Sequence, residues 1–250
     1  MKYYLSVVIP CFNEASNLKR GVLVEVEKYL QKQKYTSEVI ISDDGSTDGS
    51  QRLVRDFVQK HSRFELLTNR HSGKPFAVKA GVAKAKGKII LFTDMDQSTP
   101  LNQVAKLLPY FDRNFDVVIG SRGKKRIGFS LLRQLASGTF RFIRQFLLLR
   151  GISDTQCGFK AFRNRVGQDL FSRLLIFKKS GHIKGWRVGA FDVEFLFIAQ
   201  KRGYKIAEVP IVWQDKDVAG AKKRKFFKES QEMFKEILRV KRNDLKGRYD

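Results

Sequence analysis

Lys88-Ile89-Ile90-Leu91-Phe92-Thr93-Asp94-Met95-Asp96 is a short apolar run, partly β-branched, that ends abruptly on two carboxylates. Its length and composition predict a buried strand followed by a polar loop. The same pattern stands twice upstream. Leu5-Ser6-Val7-Val8-Ile9 leads into Pro10-Cys11-Phe12-Asn13-Glu14, and Glu38-Val39-Ile40-Ile41-Ser42 leads into Asp43-Asp44-Gly45-Ser46-Thr47-Asp48. Phe64–Leu67 and Asp116–Ile119 are further strand candidates, the latter followed by Gly120-Ser121-Arg122. Between them Ala15–Gln31, Asp48–Lys60, Lys74–Lys86 and Leu101–Phe111 have helical character. Strands that are apolar almost throughout, alternating with helices, predict an α/β fold with a mostly parallel central sheet covered on both faces.

In such a sheet, ligands lie beyond the carboxyl ends of the strands. Each acidic loop taken singly is an ordinary turn or helix cap, because Asp, Ser and Asn favour those positions. Three of them at successive strand ends point instead to a shared site. Asp94 and Asp96, one residue apart, can bring two hard oxygens to one divalent cation, Mg²⁺ or Mn²⁺, with phosphate oxygens and water filling the shell.

The rest of the chain is strongly basic. Among 250 residues, Lys and Arg number 49 against 25 Asp and Glu, a formal charge of +24. That surplus calls for a polyanionic partner: nucleic acid, an anionic membrane face or phosphorylated ligands. The longest uncharged stretch, Tyr3–Asn13, has 11 residues, short of the roughly 20 a spanning helix needs. No membrane-crossing segment is therefore expected, and the N-terminal run reads as a first strand rather than a signal peptide. Cys11 and Cys157 are the only cysteines; they build neither a disulfide framework nor a thiolate metal site, which fits a reducing compartment.

Val7–Glu14, Ser42–Asp48, Gly73-Lys74 with Ala77-Val78 and Ala80-Gly81, and Thr93–Asp96 together resemble, in order, the motif series of inverting family 2 glycosyltransferases of the GT-A fold. Gly120–Arg122, Asp154–Phe162 and Phe191–Leu196 resemble the branch that serves polyprenyl phosphates, the dolichyl-phosphate glucosyltransferases among them. The resemblance implies a Rossmann-like nucleotide-sugar domain over 1–215, with a nucleotide-sugar half at 1–120 and an acceptor half at 121–215, then a basic helical segment at 216–250. It implies that Pro10, Asn13, Glu14, Asp43, Asp44 and Lys74 line the nucleotide-sugar pocket, with Asp94 near ribose and diphosphate. It also implies that Asp96 holds the metal, that Gln97 offers a further oxygen ligand, and that Asp154 lies at the catalytic centre. Gly73-Lys74-Pro75-Phe76 departs from the pattern, since relatives carry small glycines after the Lys. A Gln-x-x-Arg-Trp motif is missing and Trp186-Arg187 runs in the opposite order, which disfavours processive synthesis.

Between Val117 and Ser153 there is no acid, and eight basic residues occur. Placed on a helix, Phe129–Arg150 gathers Arg133, Arg141 and Arg144 with Ser and Gln in a sector of about 120°, and Leu and Phe over the remainder. This predicts a basic amphipathic helix at 128–150, either at a membrane interface or wedged against the core. Lys222–Arg248 carries eleven basic residues against four acids, a second attraction for an anionic leaflet. Asp192 and Glu194 are read either as sugar contacts or as core stabilisers, and His61, His71 and His182 as surface or structural residues.

A lipid monophosphate is already ionised at neutral pH, so it attacks an anomeric carbon without a strong base. The protein must instead hold two anions close together. Arg122, with its planar fork of donors, is the best acceptor-phosphate clamp, ahead of Lys124, Arg126 and Lys222. The expected activity is transfer of a hexose from a nucleotide-diphosphate sugar, UDP-glucose favoured over GDP-mannose, to a polyprenyl phosphate. It would work peripherally on the cytoplasmic face of a membrane, with or without a separate transmembrane partner. A soluble transferase acting on a hydroxyl is the alternative; it would need a general base, with Asp154 or a neighbour as candidate. A nucleic-acid-binding module is the third, suggested by charge alone and unsupported by any nucleic-acid motif.

Overall fold

The computed structural model describes residues 2–123, 149, 151–178, 191–219 and 226–250, the side chains of 226–233 excepted. The five predicted strands form as β1 (Tyr3–Cys11), β2 (Ser37–Asp43), β3 (Phe64–Thr68), β4 (Gly87–Thr93) and β5 (Val117–Ser121). Two more join them, β6 (Phe159–Arg163) and β7 (Ile206–Pro210), in the order β3-β2-β1-β4-β6-β5-β7. β6 runs antiparallel to both its neighbours; every other pairing is parallel. The mostly parallel sheet thus carries one reversed strand that the sequence reading did not separate from its surroundings.

Alternation along β1 assigns its residues to two cores. Leu5, Val7, Ile9 and Cys11 face α2 (Val22–Gln31), α3 (Ser50–Val58) and the turns after β4. Val8 faces α4 (Lys74–Lys84), α7 (Asn164–Arg173) and α8 (Phe191–Lys201), backed by α9 (Phe226–Leu245). Both layers are apolar, as expected of strands covered on each side. Cys11 and Cys157 are buried in the first core and remain free.

The predicted helix over Ala15–Gln31 is two helices. It breaks between α1 (Ala15–Lys19) and α2 at Gly21, whose φ of 90° is a left-handed conformation that glycine adopts at little cost. Leu101–Phe111 likewise divides into a 3₁₀ turn (Leu101–Gln103), α5 (Val104–Leu107) and α6 (Pro109–Asp112). The expected interfacial helix at 128–150, with Lys124 and Arg126, lies outside the described residues except for Leu149, which is buried in the second core. Lys222, His182 and Trp186-Arg187 also lie outside them. Among the described residues no helix is long and apolar enough to cross a membrane.

Candidate active site

The carboxyl ends of β1, β2 and β4 bring the three acidic loops to one rim, and side chains stitch the loops together. The Asn13 amide donates to Ser46 Oγ at 2.9 Å, the Thr47 amide to Asn13 Oδ1 at 2.8 Å, and the Ala15 amide to Asp48 Oδ2 at 2.9 Å. Asn13 adopts a φ of 57°, which Asn tolerates better than most residues. Asp43 closes its own turn: Oδ2 accepts from the amides of Gly45 and Ser46 and from Gln51 Nε2. Asp43 Oδ1 is buried without a partner among the described residues. Asp44 is turned differently. Its carboxylate is buried and accepts from the amides of Ser72 and Gly73 and from His71 Nδ1 at 2.8–2.9 Å, so it holds the loop that starts α4. His71 also stacks on Phe12 with ring centroids 4.4 Å apart, and His61 stacks on Phe57 at 3.8 Å.

Across this rim lie Glu14, Asp94 and Asp96. Burial pushes Glu14 up to about 7, the neighbouring carboxylates of Asp217, Asp96 and Asp94 adding to the shift against a hydrogen bond from Asn17. Burial and then the charge of Asp94 raise Asp96, although its Oδ1 accepts the Ser98 amide at 2.8 Å. Asp94 is paired with Lys74, Nζ to Oδ1 at 2.5 Å. A like-charged, partly dehydrated group of carboxylates is the environment a dication relieves, and its hard oxygens suit Mg²⁺ or Mn²⁺. Among the described residues no three His, Cys, Asp or Glu side chains converge to cage an ion unaided, so substrate oxygens and water would complete the shell.

Gln97, expected as a further oxygen ligand, follows Asp96 directly. It is buried at a φ of 49°, its Nε2 donates to the Asp94 carbonyl at 2.9 Å, and it lines a cavity against α2 with Glu25, Tyr29 and Leu101. Asp217 is the carboxylate that sequence reasoning missed; it accepts from Asn17 Nδ2 at 2.9 Å, and Asn17 in turn bonds Glu14. The segment bearing it, 211–219, is tied to the rim by amides of Gln214 and Lys216 donating to Ser98.

The ends of β5, β6 and β7 make the opposite rim. Asp154 meets Arg122 through two side-chain bonds, Nε to Oδ2 and Nη2 to Oδ1, both 2.8 Å, and a third from the Arg122 amide at 3.0 Å. Against the cost of burial, these bonds and the guanidinium charge hold Asp154 down at about 2. Arg122 also lies 5.8 Å over the ring of Trp213, which is 40% exposed. Behind the pair stands Glu208 on β7, another residue the sequence did not single out. Its Oε1 accepts from Ser153 Oγ at 2.6 Å and the Asp154 amide at 2.8 Å, and its Oε2 from the Ser153 amide at 2.8 Å.

β6 joins the two rims. Gly158, just before it, packs so closely on Asp94 that a Cβ there would overlap Asp94 Oδ2. Lys160 is almost wholly buried, donates to the Cys157 carbonyl and pairs with Asp192 at 2.6 Å. Glu194 instead faces the core and the C-terminal helix, accepting from Leu175, Arg239 and Tyr249.

The fold agrees with what this chain is similar to. A family profile described as glycosyl transferase family 2 matches residues 6–171. A dolichyl-phosphate beta-glucosyltransferase of Dictyostelium discoideum is 35% identical, over 98% of this chain and 76% of its own length. One from Homo sapiens is 34% identical, over 97% and 76% respectively. Among solved structures, a glucosyl-3-phosphoglycerate synthase from Mycobacterium tuberculosis, in complex with Mn²⁺, UDP-glucose and phosphoglyceric acid, superposes with a TM-score of 0.62. It is 19% identical, over 96% of this chain and 80% of that one, and shares the fold.

Proposed function

This chain belongs to glycosyl transferase family 2, and on that premise we propose that it moves glucose from a nucleotide-diphosphate sugar, UDP-glucose first, to a polyprenyl phosphate. The names of the two relatives support the acceptor and the sugar. The observation that carries the reading is the state of Asp154. A hydroxyl acceptor needs a general base free to take its proton, whereas both oxygens of Asp154, the base candidate on the acceptor rim, are bonded by Arg122. A phosphate acceptor brings its own anionic oxygen and needs only to be held in line and close, which is where most of the rate would come from.

The donor enters at the carboxylate rim. Asp43, with its free Oδ1, and the neighbouring backbone of Pro10 and Asn13 take the nucleoside, while Asp44 keeps the Lys74 loop in place. Asp96, assisted by Asp94, would hold Mg²⁺ or Mn²⁺. When bound, the dication supplies Lewis-acid stabilisation of the departing nucleoside diphosphate. Lys74 adds a second positive charge beside Asp94. On the opposite rim the Arg122–Asp154 pair uses Nε and Nη2, which leaves Nη1 to meet the acceptor phosphate. Attack on the anomeric carbon from the face opposite the leaving group inverts the centre. The exposed Val212 and Trp213 beside Arg122 suit the first isoprenoid units of a lipid acceptor, and the +24 charge suits an anionic cytoplasmic leaflet.

Purified protein incubated with UDP- and GDP-sugars, a short polyprenyl phosphate and Mg²⁺ or Mn²⁺, followed by lipid extraction, tests the proposal. The expected product is a polyprenyl-phosphate β-glucoside that forms from UDP-glucose. Transfer to free alcohols or glycans with none to the lipid phosphate would reject it.

A further inference from the structure

The C-terminal helix carries a second arrangement of charge, away from both rims. Glu194 on α8 is fully buried, and it draws in the Tyr249 hydroxyl at 2.8 Å, the Leu175 amide at 2.9 Å and the Arg239 guanidinium at 3.3 Å. These three bonds pull the chain end, the turn at Leu175–Lys178 and α9 around a hollow of about 420 Å³. Its lining contains five cations, Lys178, Arg239, Arg242, Lys246 and Arg248, and no acid.

The lining is not charge-matched. Arg239 is paired with Glu194 and Glu236, yet its Nε is a buried donor without an acceptor among the described residues. Among the described residues Arg248 has no carboxylate partner, and its Nη1 donates to a neutral amide, Asn243 Oδ1, at 3.3 Å. Among the described residues, Lys178, Arg242 and Lys246 have no carboxylate partner. A concave wall of one charge focuses potential more than a convex solvated face does. The volume falls within the range of about 300–1,000 Å³ typical of small-molecule sites. Guanidinium forks flanked by ammonium groups match an anion with several oxygens and more than one charge, better than a single carboxylate.

We propose that this hollow is a binding site for a phosphate-bearing anion, separate from the donor and acceptor rims. Its source is either a free phosphate compound or the headgroup of an anionic phospholipid. None of Asp94, Asp96, Lys74 or Arg122 lines it, so the inference does not depend on the reaction assigned above.

The test compares the full chain with two triple variants of equal net charge. One is Lys178→Gln/Arg242→Gln/Lys246→Gln in the hollow; the other is Arg52→Gln/Arg55→Gln/Lys60→Gln on and beside α3, away from it. Titration with inorganic phosphate and co-sedimentation with phosphatidylcholine vesicles, with or without phosphatidic acid, are the readouts. The hollow variant is expected to lose at least about tenfold in affinity in one or both assays, while the α3 variant stays within about twofold of the parent. Loss confined to the phosphate titration identifies a soluble ligand, and loss on vesicles identifies a lipid headgroup. Equal losses in both variants, or no loss in the hollow variant, would overturn the proposal. Arg242→Gln alone serves if the triple variant does not keep the parent's circular dichroism, and it is judged by the same comparison.

Discussion

On the β1–β4 side of the rim, Glu14 rises to about 7 and Asp96 rises with it, because burial strips both of water and each lies among other carboxylates. On the β5–β7 side, an equally enclosed Asp154 lies at about 2, because a guanidinium bonds both its oxygens. All three are carboxylates and burial is similar, so the sign of the shift reports the partner. On the proposed reading, a carboxylate group that Lys74 neutralises only in part is where an outside cation would be supplied. On the same reading, a carboxylate already satisfied by arginine would fix that arginine, and an outside anion is what the pair could still accept.

The sharpest way to break this contrast is Asp96→Ala. Transfer should fall by more than about 100-fold, with circular dichroism and the melting temperature little changed. An unchanged turnover would remove the metal from Asp96. Gly158→Ala should come next, since a Cβ displaces Asp94 without altering any charge. A displacement of this kind can cost about 100-fold, and it should appear in kcat and in Mn²⁺ dependence, with smaller effects on acceptor KM. Glu208→Gln then probes the other side. It keeps the shape but weakens the three bonds that hold Ser153 and Asp154. The expected outcome is an approximately tenfold rise in acceptor KM, with donor KM unchanged.

The smallest effect is on stability, and it has opposite signs on the two sides. Glu14 binds its proton more tightly folded than unfolded, so its contribution is full below pH 4.5 and is lost as pH rises through about 7. In metal-free protein this amounts to as much as about 3 kcal/mol at pH 8. Asp154 does the reverse, contributing above pH 4 and losing its share as pH falls through about 2. Chemical denaturation of the chelated parent and of Glu14→Gln between pH 5 and 8 should show the parent losing stability with pH more steeply than the variant.

Much of the donor rim was legible in the sequence because its signals are local. A run such as Ile89–Phe92 followed by Asp94 and Asp96 states both strand and loop within a few residues. The acceptor rim was less legible because its parts meet only through the sheet. Arg122 and Asp154 were expected at the site, but nothing in their spacing gave the bidentate pair, and Glu208 sits in an alternating strand where an acid looks solvent-facing. β6 was hidden by Lys160, a charged residue mid-strand whose burial depends on Asp192 from a distant helix. Gln97 was expected among the metal oxygens by resemblance, and neither its left-handed backbone nor its place against α2 is written in the local sequence.

The reversed strand also sets an order of events during synthesis. β4 cannot find its lasting neighbour in β5, which emerges first, because β6 must lie between them. Until the ribosome has delivered Phe159–Arg163, one margin of β4 stays open and Asp94 lacks the glycine it rests against. A margin left unpaired for that long is where a chaperone would have the most to protect.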